Sequence, residues 1–121
     1  MSDRVHELAE IWRKMISRDH HKHKDGYFFI SKSWSYDHAA KYHAEHDAYI
    51  GEDLFGPYRD SYAEAEADLI AHIIKQIKEQ EQWALGVMSM QEDDRWSERE
   101  AEWMLKVISE NAELIKGETN V

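Results

Sequence analysis

The chain contains no cysteine, one proline and five glycines in 121 residues. Without thiols there can be no disulfide framework and no zinc site built on thiolates, so any metal would have to be held by His and carboxylate side chains. The five glycines, Gly26, Gly51, Gly56, Gly86 and Gly117, are scattered. None sits in a GxGxxG or GxxxxGK[ST] run, and GxSxG and HExxH are also missing, which argues against nucleotide-dependent and serine-hydrolase chemistry. No apolar run approaches the roughly 20 residues that span a bilayer, and Met1 to Ala9 lacks the basic-then-apolar pattern of a secretory signal. The expected compartment is therefore the cytoplasm, and no cofactor is implied.

What is present is charge and a regular apolar pattern. Hydrophobic residues make up 42% and charged residues 33% of the chain, with a net charge of -10. A chain of this length fits one domain, 1–121, with a core of its own. The charge is uneven. Residues 1–36 hold seven Lys/Arg against five Asp/Glu, and residues 37–121 hold eight against twenty, so +2 is followed by -12. A surface this acidic repels phosphate backbones and attracts basic partners, which argues against direct nucleic-acid binding even though Arg13, Lys14, Arg18, Lys22, Lys24 and Lys32 lie near Tyr27, Phe28 and Phe29.

The apolar spacing predicts a first helix from Ser2 to about His21, with Val5, Leu8, Ile11, Trp12, Met15 and Ile16 on one face and a turn at Asp25-Gly26. Tyr27 to Tyr36 reads as a strand, with Phe28, Ile30, Trp34 and Tyr36 on one side. Tyr42 to Ile50 fits a partner strand, with Tyr42, Ala44, His46, Ala48 and Ile50 on one side and His43, Glu45, Asp47 and Tyr49 on the other. Its alanines, with Asp37 before and Gly51 after, also fit a short helix. Asp53 to Arg59, with Gly56-Pro57, reads as a loop or short edge strand.

Ser61 and Glu64 have capping-box spacing at the start of a second helix with Leu69, Ile70, Ile73, Ile74 and Ile77 as its stripe. Lys75 to Gln82 reads as solvated, and Gly86 as a bend. Gln91 to Trp96 reads as a loop, and Ser97 with Glu100 as the cap of a third helix. One row of that helix is Ala101, Met104, Leu105, Ile108, Ala112 and Ile115, and a second is Trp103, Val107 and Leu114. A face so wide needs two neighbours, which makes a homodimer a candidate. The expected fold is α+β, a small antiparallel β-hairpin or sheet covered by three helices in the order α-β-β-α-α.

Two clusters carry chemistry. The histidines His20, His21, His23, His38, His43 and His46, with Glu45 and Asp47, are the ligand types of a metal-dependent hydrolase. On a strand, however, His43 and His46 would point to opposite faces, so only a helix would let them share an ion. The second cluster is acidic. Between Glu45 and Asp68, eight carboxylates face only Arg59, a net of -7, with Tyr49, Phe55, Tyr58 and Tyr62 interleaved. Asp60, Glu64 and Asp68 recur every four residues on one helix face.

Acids steer a basic partner into encounter, and aromatics supply contact energy. The sequence therefore points to a small, acidic, non-enzymatic protein that binds a basic protein surface, in the manner of an inhibitor or nucleic-acid mimic such as a phage anti-defence protein. A metal-dependent hydrolase and a structural subunit of a larger assembly are the alternatives. The expected partner-binding residues are Glu45, Asp47, Tyr49, Glu52, Asp53, Tyr58, Asp60, Tyr62, Glu64 and Asp68.

Overall fold

The computed structural model describes residues 3–16, 26–34, 40–48, 52–89 and 95–116. The element order is α1 (Asp3–Ile16), β1 (Gly26–Trp34), β2 (Ala40–Ala48), β3 (Leu54–Phe55), α2 (Tyr62–Ser89), α3 (Arg95–Glu110) and α4 (Ala112–Lys116). The protein is α+β, with a three-stranded antiparallel sheet in the order β1-β2-β3. Among the described residues no helix is long and apolar enough to cross a membrane.

The α1 stripe behaves as its periodicity requires. Val5, Leu8, Trp12 and Met15 are fully buried, with Ala9, Ile11 and Ile16 beside them. The Arg4 guanidinium donates to the carbonyls of Leu114 and Ile115, so the start of α1 satisfies orphan acceptors at the end of α4. In α2 the Ser61 hydroxyl accepts the Glu64 amide at 3.2 Å and donates to the Glu64 carboxylate at 2.9 Å, which fixes the helix start. One buried cluster draws on all four helices and on β1 and β2, through Phe28 and Ala44. The central element is α2, which touches the strands, α1 and α3.

The structure decides between some local readings and changes others. The segment from 40 to 48 is a strand, paired along its whole length with β1, because cross-strand packing of Ala44 on Ile30 and His46 on Phe28 outweighs the helix propensity of its alanines. The 53–59 segment contributes the edge strand β3 and a further backbone bridge, Tyr42 to Arg59. Helix α2 runs through Gly86 to Ser89 without a break, and Gln76 and Ile77 in the supposed solvated stretch are buried.

Helix α3 begins at Arg95, two residues before Ser97. Its core row includes Val107 with Ala101 and Met104, and Asn111 separates it from α4 as a fourth helix. Within this chain α3 packs against α2, α1 and α4. Trp103 caps this packing, its indole N–H donating to the Lys14 carbonyl. The turn at Asp25, the end of the first helix beyond Ile16, and Tyr36 lie outside the described residues.

Gly56 is required where β3 leaves β2. Its amide donates to the Ala44 carbonyl at 2.8 Å, and a Cβ at this position would lie 3.1 Å from that oxygen and 3.3 Å from the Ala44 nitrogen. Ala44 is in the central strand, held by β1 on its other side, and so has little room to retreat. Gly56→Ala is expected to destabilise the fold by about 1 kcal/mol, as mild overpacking does. A denaturant midpoint at or above that of wild type would contradict this reading.

Candidate functional site

The pleat of β1 and β2 sends two sets of side chains to opposite sides. Phe28, Ala44 and His46 face α2 and are buried. The adjacent residues Phe29, His43, Glu45 and Asp47, together with Phe55 opposite Glu45 in β3, form the other face, which is left open among the described residues. Phe29 is 38% exposed, Phe55 66% and Tyr58 56%.

The open face has one polar centre. The Ser31 hydroxyl donates to Glu45 Oε2, and His43 Nε2 lies 3.2 Å from the same oxygen. The rings of Phe55 and Tyr58 sit over His43, at centroid distances of 4.5 and 4.8 Å, and leave it only 4% exposed. Neither ring nitrogen makes a hydrogen bond among the described residues. Beside this centre is a hollow of about 520 Å³, lined by Phe29, Glu45, Asp47, Asp53, Leu54 and Phe55 and reached also by His46.

The other side of β2 holds a second histidine. His46 Nδ1 and His72 Nε2 are 2.8 Å apart, so one imidazole donates to the other between β2 and α2. Phe28 stacks on His46 with centroids 3.9 Å apart and planes 17° from parallel. Burial is the main cause that depresses the His72 pKa to about 4, reinforced by His46 and Lys75 and opposed by Glu52. Next to the pair, buried Gln76 accepts the Glu52 amide at 3.0 Å.

The residues expected from sequence divide into three groups. Glu45, Asp47 and Asp53 are brought together in the hollow, and Tyr58 adjoins it through His43 and Phe55. Glu52, Asp60, Glu64 and Asp68 are engaged locally. Lys75 meets Glu52 at 3.3 Å, Lys41 pairs with Asp60, and Glu64 belongs to the helix cap. Arg59 grips Asp68 with Nε at 2.8 Å and Nη2 at 3.0 Å, a hydrogen-bonded fork that raises the arginine pKa. Tyr62 packs edge-on against Tyr42 at 5.9 Å, and partial burial raises its phenol pKa. Tyr49 lies outside the described residues, as do His20, His21, His23 and His38.

Because β2 is a strand, His43 and His46 face opposite sides and do not share a site. Among the described residues no group of three or more His or carboxylate side chains is placed to hold a metal. Sequence reasoning missed Phe29 as a site residue, although the inward alternation of Phe28 and Ile30 already placed it outward. It also missed the contact of His46 with His72, which no local pattern signals. Compared with protein-family models, with curated proteins and with solved structures, the chain matches none of them.

Proposed function

We propose that this chain is a small non-enzymatic interaction protein that binds a basic protein surface through the open face of its sheet. The observation that carries this reading is the exposure of Phe29, Phe55 and Tyr58 on one face together with Glu45, Asp47 and Asp53. Large exposed rings on a small domain mark contact surfaces, and the surrounding carboxylates select a cationic partner. Such a protein acts by occupying its partner's basic surface, as an inhibitor or nucleic-acid mimic does.

The helix row Asp60, Glu64 and Asp68 adds to the long-range field. Its outer two members are already paired with Lys41 and Arg59, so contact energy is assigned to the sheet face. The net charge of -10 makes encounter fast at low salt and slower as the screening length falls below about 8 Å.

The test uses core histones as a basic probe and serum albumin as an acidic control, in biolayer interferometry across a salt series. Histone binding is expected to persist at physiological salt. The double variant Phe55→Ala with Tyr58→Ala should weaken it at least tenfold, because interface aromatics contribute on the order of 1–2 kcal/mol each when truncated. Both side chains are more than half exposed, so the variant should keep its fold, with circular dichroism as the check. Equal affinity of the variant and the wild type would reduce the interaction to nonspecific charge and reject the sheet face as the binding surface.

A further inference from the structure

We infer that the hollow between Phe29 and Phe55 receives an arginine side chain of the partner, a refinement that rests on the basic-partner reading above. Three properties select the occupant. The lining residues include three carboxylates, Glu45, Asp47 and Asp53, and no Lys or Arg, so a cation is favoured over a neutral or anionic group. The lining also includes the phenyl rings of Phe29 and Phe55, 38% and 66% exposed, and aromatic rings attract a planar cation. The volume, about 520 Å³, is within the range of roughly 300–1,000 Å³ that accommodates a compact ligand.

Glu45 makes the choice more specific. The Ser31 hydroxyl donates to its Oε2, which holds the carboxylate in place and leaves Oε1 to an incoming donor. Ser31 lies in β1, paired with β2 throughout the strand, so the acceptor is oriented before any partner arrives. A guanidinium can stack on a ring and donate in its plane to a fixed carboxylate at the same time. An ammonium is a compact, strongly hydrated charge that does only the second. A second copy of this chain is disfavoured as occupant, because two molecules of net charge -10 repel each other.

The experiment titrates the full chain with two glycine-spaced peptides of equal length and charge, one carrying arginine and the other lysine, at physiological salt. Calorimetry gives the affinities, and nuclear magnetic resonance follows the ring protons of Phe29 and Phe55. The arginine peptide is expected to bind at least tenfold more tightly and to shift both sets of ring protons. Phe29→Ala, Phe55→Ala and Asp47→Asn should each bring its affinity down toward that of the lysine peptide. The two phenylalanine variants provide independent checks should one perturb the fold.

Equal binding of the two peptides would overturn the arginine site while leaving a basic partner in place. Failure of both peptides to bind, with histone binding retained, would also overturn the site. Failure of both peptides and of histones would reject the basic-partner reading itself.

Discussion

Lowering the pH from about 7.5 to about 4 is expected to cost the wild-type protein about 3 kcal/mol more than it costs the His72→Gln variant. An imidazole in the unfolded chain takes its proton near pH 6.5, whereas His72 in the folded protein remains neutral down to about 4. Between those values the unfolded state binds more protons. Stability that is fully present above pH 6.5 is therefore lost as the pH falls, by about 1.4 kcal/mol per pH unit, until the folded side chain also titrates near 4. The main cause is burial of the His72 ring, and the contact with buried His46, 2.8 Å away, reinforces it by requiring one ring to present a bare nitrogen to the other. Lys75 adds to the cost of a second positive charge, and Glu52 offsets part of it.

Glutamine at position 72 keeps a hydrogen-bonding group against His46 and cannot take up a proton in this range. Carboxylates titrate in both proteins, so the difference between the two stability curves reports the His46–His72 pair. Thermal or urea denaturation at a series of pH values measures it. Parallel curves would show that His72 titrates in the folded protein as it does in the unfolded one.

Ile73→Ala is expected to destabilise the protein by about 2–5 kcal/mol, the range for removing a large aliphatic side chain from a packed interior. Ile73 is fully buried in the centre of α2, the helix that joins the sheet to α1 and α3. Cavity formation there would loosen both sides of the core, and the loss is a large part of the stability of a typical small domain. Leu85→Ala on the same helix is the comparison. Leu85 is 47% exposed, so its truncation should shift the urea midpoint far less. Similar losses from the two substitutions would mean that Ile73 does not occupy the core position described for it.

The locally encoded parts of this protein were those with a short repeat. The α1 stripe and the Leu69–Ile73–Ile77 stripe of α2 follow from spacings of three or four residues and are buried where those periods place them. The alternation of β1 holds for buried Phe28 and partly buried Ile30 but not for Trp34, which is 66% exposed at the end of the strand. The Ser61–Glu64 cap is legible for the same reason, since donor and acceptor are three residues apart. The strand at 40–48 was not decided locally. Its alanines suit a helix, and only pairing with β1 made it a strand with His43 and His46 on opposite faces.

The same distinction holds for the candidate site. An excess of acid between Glu45 and Asp68 is a property of composition and was plain from the sequence. Which acids remain to meet a partner depends on cations that arrive from other elements, Lys41 from β2 for Asp60 and Lys75 from α2 for Glu52. His46 and His72 are 26 residues apart, and neither carries a signal of the other. The sequence by itself determined the apolar stripes and the sign of the surface charge, because these depend on residue type and local period. Only the tertiary structure decided which polar groups were buried together and which aromatics stayed outside, because burying a polar group is tolerable only once a partner distant in the chain has been brought within bonding distance.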